Sequence, residues 1–183
     1  SESQLIGFSI TGATGSYESQ GGGVHISNHS NPTLSHLNIY GNSAQYGAGV
    51  YIGSGSSPLI TDTKIYENTG AVLNPWVTAG GGGVYCDAST PFFVDVEIFN
   101  HEALEAAAGL MGQNNSFVSL ENVHIYDNIG SSDCIPCGPG GGGIYMANSE
   151  LYLIGGSIIG NSTTQFGGAI KLVQSIATIS YAL

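Results

Sequence analysis
The sequence predicts an all-β fold, a parallel solenoid of about six stacked coils, and three observations carry that prediction. One phrase recurs down the whole chain, its apolar residues alternate with a period of two, and Gly and Asn return at fixed points of the copies. The first half of the phrase is a run of small residues leading into apolar ones: Gly21 to Ile26, Gly47 to Ile52, Gly80 to Cys86, Ala106 to Met111, Gly140 to Met146 and Gly167 to Leu172. The second half is a partner strand: Pro32 to Tyr40, Pro58 to Tyr66, Pro91 to Phe99, Ser116 to Tyr126, Ser149 to Ile159, and a last one from Ala177. From Val24 through Val50, Val84, Leu110, Ile144 and Ile170 the step alternates between 26 and 34 residues, so short coils alternate with long ones.

Val50-Tyr51-Ile52 and Leu37-Asn38-Ile39 put apolar side chains on one face and the residue between them on the other, which is a strand period and not a helical one. Strands this short cannot hold a core as isolated hairpins, so they must stack on copies of themselves. Each coil then rises by one strand spacing, about 4.8 Å, and the stack is a rod roughly 29 Å long. The corners need residues that accept the left-handed backbone region, which Gly does freely and Asn better than most. Five partner strands lead into Asn: Asn42, Asn68, Asn100, Asn128 and Asn161. These five form a structural column whose amides can hydrogen-bond along the axis. Residues 1–183 read as a single domain, part of a longer chain or a unit that stacks on others.

Charge narrows the partners. Thirteen carboxylates face two lysines, Lys64 and Lys171, with no arginine, for a net charge of −11. Nucleic acid is excluded, because phosphate binding runs on Lys and Arg displacing counterions. No apolar run has the length of a spanning helix, so membrane insertion is not expected.

The opening Leu5-Ile6-Gly7-Phe8-Ser9-Ile10-Thr11-Gly12, followed by Gly-Gly-Gly-Val, Asn-Pro or Ser-Pro, Ile-Tyr-x-Asn and Gly-Ala-Gly-Val-Tyr, resembles the right-handed parallel β-helix repeat proteins of bacterial surfaces. Gly167-Gly168-Ala169-Ile170 is also similar to the Gly-Gly-Ala-Ile repeat of chlamydial polymorphic membrane proteins, with Ile-Tyr-x-Asn in place of their Phe-x-x-Asn in most coils. The resemblance covers nearly the whole chain. It implies a right-handed β-helix and a passenger or stalk region of a large secreted protein; the same scaffold also carries lyases, hydrolases and epimerases.

Cys134-Ile135-Pro136-Cys137 reads as a local disulfide in an oxidising compartment, since neither a second Cys pair for zinc nor an α/β redox setting accompanies it. Cys86 falls where Ile26 and Ile52 fall, an inward core position, with a cross-link to that loop left open. Asp62, Asp95 and Glu121, with Glu67 and Asp127, come about once per coil and read as a solubilising outer face. They do not converge with a base as polysaccharide chemistry needs, so no catalytic residue and no metal ligand is assigned. No cofactor is expected, and calcium is the one ion the carboxylates leave open. The histidines receive no role.

Tyr51, Tyr85 and Tyr145 share one position and Tyr40, Tyr66, Phe99 and Tyr126 a second; both columns should point outward or toward a corner, as stacking devices or as strips for sugar or protein. Long loops in every second coil should project as a lateral ridge carrying Tyr17, Pro75, Trp76 and Ile135, the candidate contact residues. The expectation is a non-catalytic extracellular or cell-surface module, a stalk or fibre subunit. Its partners would be other protein subunits or surface glycans, met through the ridge or by end-to-end stacking into homo-oligomers or filaments. The alternative is a fragment of a carbohydrate-active enzyme.

Overall fold
The computed structural model of the chain describes residues 3–15, 18–70, 80–104, 107–131, 141–164 and 166–181, with 104 and 131 described by backbone alone. Among them every strand pairs in parallel with its equivalent one coil away, and the strands form four sheets around one core. Sheet I holds Gln4–Ile6, Thr33–Ser35, Leu59–Thr61, Phe92–Val94, Phe117–Glu121, Glu150–Ile154 and Ile176–Ser180. Sheet II holds Ser9–Thr11, Asn38–Tyr40, Lys64–Tyr66, Glu97–Phe99, His124–Tyr126 and Ser157–Ile159. Sheet III is a narrow strip of Ser43–Ala44, Thr69–Gly70, Glu102–Leu104, Ile129–Ser131 and Ser162–Thr163. Sheet IV holds Val24–Ile26, Val50–Gly53, Val84–Asp87, Leu110–Gln113, Ile144–Ala147 and Ile170–Val173. The result is an all-β parallel β-helix.

Two details differ from the sequence expectation. Each partner strand is cut in two by a residue at positive φ, and His36, Asp62, Asp95 and Asn122 with Gly7 and Gly155 occupy that corner coil after coil. The apolar alternation runs on across the corner, so periodicity alone does not reveal it. The glycine runs ahead of sheet IV are bends and not strands, yet their N–H groups still reach the next coil, as from Gly23 to the Ala48 carbonyl at 2.9 Å. Backbone pairing therefore continues through the corners and leaves few orphaned groups.

The interior is filled by columns of like residues. Sheet II contributes Ile10, Ile39, Ile65, Ile98, Ile125 and Ile158 in direct register. Sheet I faces them with Leu34, Ile60, Phe93 and Leu120, and sheet IV with Val50, Val84, Leu110 and Ile144. A fully buried Ile or Leu is worth about 1.5–3 kcal/mol over its exposed state, so these columns supply the main cohesion of a chain that has one salt bridge among its described residues. Register is fixed as well, because a one-residue slip would turn a whole column outward.

Candidate functional site
The most ordered polar feature lies at the corner between sheets II and III. Asn68 Oδ1 accepts from the Asn42 backbone N–H and from Asn42 Nδ2, both at 3.0 Å, while Asn68 Nδ2 donates 2.9 Å to the Ile39 carbonyl. Asn161 Oδ1 accepts in the same way from Asn128, at 3.1 Å from N–H and 2.8 Å from Nδ2, and Asn128 Nδ2 also donates to the Ile98 carbonyl at 3.1 Å. Asn42, Asn68 and Asn128 are buried, so each amide satisfies backbone groups that water cannot reach. Asn68→Ala leaves the buried Asn42 N–H without its acceptor and removes the amide bond to the Ile39 carbonyl, and should lower unfolding stability by about 1–3 kcal/mol, against little change for the exposed Asn38→Ala, in paired urea melts.

Asn100 is not in this column. It is exposed at φ 54°, in the outer corner row with Gly41, Glu67, Asp127 and Gly160, and His101 takes the ladder position. The Asn68 N–H donates to His101 Nδ1 at 3.1 Å, the His101 N–H donates to Asn128 Oδ1 at 3.1 Å, and Nε2 lies 3.0 Å from the Ile65 carbonyl. Since an N–H can only donate, Nδ1 is the acceptor and the ring proton sits on Nε2. Burial pushes the His101 imidazolium down to about 4, partly opposed by its two backbone partners. The sequence held the clue in the spacing: the ladder residue stands two places after the aromatic in Tyr40-Gly41-Asn42 and Tyr126-Asp127-Asn128, which in Phe99-Asn100-His101 is the histidine.

The two aromatic columns part company. Tyr40, Tyr66, Phe99 and Tyr126 stack face to face on sheet II, with centroids 4.9, 5.0 and 4.7 Å apart and planes within 7°. Because the faces cover each other, the column shows solvent mainly ring edges. Tyr51, Tyr85 and Tyr145 lie outside the inner core but are only 4–7% exposed, in a second cluster with Ala107 and Met111. The outward strip expected there is therefore a packed layer. Tyr51 OH donates to Asp87 Oδ2 at 3.2 Å, and burial followed by Asp87 pushes its pKa up to about 12.

Beside the stacked column runs a polar row. Lys64 Nζ meets Glu97 Oε1 at 2.9 Å, Tyr126 OH donates to Glu97 Oε2 at 2.8 Å, and His124 Nδ1 lies 2.8 Å from Ser157 Oγ. The Lys64 and Tyr126 bonds hold the Glu97 carboxyl below its usual range, so it stays ionised and committed on both oxygens. Asp62, Asp95, Glu67 and Asp127 sit at positive-φ corners, where backbone conformation accounts for them. Asp95 accepts from Asn122 Nδ2 at 2.5 Å. Among the described residues no group of three or more His, Cys, Asp or Glu is placed to hold a metal ion.

Cys86 is free and buried in the inward column with Ile26 and Ile52, and burial pushes its thiol pKa up. Cys134, Cys137 and the ridge residues Tyr17, Pro75, Trp76 and Ile135 lie outside the described residues.

The sheets, corners and ladder define a parallel β-solenoid whose coils repeat the same side-chain columns. A family model described as the right-handed β-helix region matches residues 3–180, so the chain belongs to the right-handed β-helix family. No curated protein and no solved structure matches it.

Proposed function
We propose that the chain is a non-catalytic structural or adhesive module of an extracellular surface, a segment of stalk or fibre that meets protein subunits or glycans through its flanks or stacks end to end. One observation carries this reading. The isoleucine column, the Asn and His ladder and the stacked aromatics all run along the axis from coil to coil, so the side chains are spent on axial cohesion and stiffness. The repeats similar to polymorphic membrane proteins, and an acidic surface with two lysines as tryptic sites, suit a surface location. The outermost described coils also expose apolar side chains of the inward columns, such as Phe8, Leu172 and Ile179, that another coil of the same kind would cover.

A second reading, a fragment of a carbohydrate-active enzyme, draws on Glu121 and Glu150, which line adjoining concavities of sheet I. Light scattering with negative-stain microscopy tests the two. Rods that lengthen with concentration, and stay short when Leu172 and Ile179 are both changed to Lys, are the expected result. A monomer at every concentration that also cleaves a polysaccharide would replace the structural reading with the enzymatic one.

A further inference from the structure
We infer that Tyr40 and Tyr66 form a dityrosine cross-linking site, at which a one-electron oxidant of the haem-peroxidase class, supplied with hydrogen peroxide, ties two neighbouring coils of one chain together. The site goes beyond the stalk reading, because it needs only a single folded chain. Coupling of two phenols asks that the two rings be held against each other and that their edges have room to meet. Radicals on separate chains must find each other by diffusion, whereas a pair already in contact reacts at a high effective concentration.

Among the described residues three pairs of tyrosines are in ring contact. Tyr51 with Tyr85, and Tyr46 with Tyr85, belong to the packed layer, where Tyr51 and Tyr85 are only 4% and 7% exposed and the Tyr51 hydroxyl is bonded to Asp87. Those rings have no room to pivot, and a bulky haem oxidant does not reach them. Tyr40 and Tyr66 are half-buried on the outer face of sheet II, with centroids 4.9 Å apart and planes 7° from parallel. Their strands pair in direct register, and the ring separation matches the strand spacing of about 4.8 Å. One ring is therefore the other carried up by one coil, and like carbons lie together.

The ends of the stack fix which pair reacts. Thr11, a residue without a ring, pairs with Tyr40 one coil earlier, so Tyr40 ends the column and can swing its edge towards Tyr66. On the far side of Tyr66 stands Phe99, which has no hydroxyl and parts Tyr66 from Tyr126. The column couples once.

Each phenol gives one electron and its hydroxyl proton to the oxidant and becomes a phenoxyl radical, with spin on the carbons ortho to oxygen. A bond forms between one Cε of each ring, and the hydrogen on each of those carbons moves to its own phenolic oxygen. Two electrons and two protons leave in all, and one hydrogen peroxide takes them up to become two waters. The product joins positions 26 residues apart by a carbon–carbon bond that no thiol opens.

The two lysines give a direct assay. Tryptic cleavage after Lys64 parts Tyr40, in 1–64, from Tyr66, in 65–171, and all three cysteines lie in the second piece, so no disulfide joins the two. Dilute chain treated with a haem peroxidase and one equivalent of peroxide should yield a fluorescent monomer lighter by two hydrogens. Its two pieces should stay joined after unfolding in urea and digestion. Tyr40→Phe and Tyr66→Phe should each lower the joined species about tenfold or more, and Phe99 in the same column shows that the stack accepts phenylalanine. Tyr85→Phe, which removes both packed-layer pairs, should leave it unchanged, and oxidation of the chain in urea should lose it. Pieces that part after oxidation, cross-linked dimers alone, joining that persists in Tyr40→Phe, or equal joining of the unfolded chain overturns the site.

Discussion
At about pH 4.5 the chain should melt well below its temperature at neutral pH, and His101→Asn should remove most of that drop. His101 is fully buried, its Nδ1 accepts from the Asn68 N–H, and its folded pKa is about 4 against an ordinary 6.5. Between those values the unfolded chain binds a proton that the folded chain refuses, so the stability present above about pH 6.5 is lost as pH falls towards 4. The full difference is roughly 3 kcal/mol, or about 5–10 °C in melting temperature for a chain of this size. Protonation sets an N–H at Nδ1 against the Asn68 N–H, and the Asn68 carbonyl at 3.3 Å gives it only a longer alternative. Glu97, whose carboxyl the Lys64 and Tyr126 bonds hold below its usual range, is common to both proteins, as is every other ionisable group, so their contributions cancel in the comparison. The wild-type minus variant difference, taken by calorimetry from neutral pH to about 4, isolates the histidine. Parallel curves across that range would contradict the assignment of His101 to the ladder.

Gly49→Ala should cost more, several kcal/mol, and leave little folded protein. A Cβ there would lie 2.6 Å from the Gly83 carbonyl of the next coil, 2.8 Å from Ile65 Cγ2 and 2.9 Å from the ladder nitrogen Asn68 Nδ2. None of these can move freely, because the carbonyl accepts from Val50 N–H, the isoleucine is in the core and the amide is bonded to Ile39. Over-packing of this kind costs about 1–3 kcal/mol, and breaking the buried amide's bonds adds a similar amount. Gly7→Ala is the control: no atom lies within 4 Å, and only its φ of +75° penalises the change, by about 1–2 kcal/mol. Urea unfolding of the two variants separates close approach from backbone conformation as the reason for glycine.

Coil number, strand pairing and the inward columns were legible because each inward position repeats the same residue class at a fixed step, as the six isoleucines of sheet II do. The ladder was legible in four members and misread in the fifth, where Asn100 stood next to the residue that matters. An amide was sought by type, whereas the geometry asks for any side chain that accepts on one side and donates on the other, which a neutral imidazole also does. Alternation tells inside from outside but not what covers an outward ring, so Tyr40 and Tyr85 read alike although one is half-exposed and the other packed away.

The ladder also has a direction. The backbone N–H of Asn42, Asn68, His101 and Asn128 is satisfied by the side chain of the following coil, while the side chains of Asn68, His101 and Asn128 reach back to carbonyls of the preceding one. Coils in such a stack touch only their neighbours, so their junctions act in series, like links under tension. Cohesion of the rod is then set by its weakest link and not by the total of all of them. The imidazole, with two members of the ladder on either side, makes the middle link the one that acid loosens first.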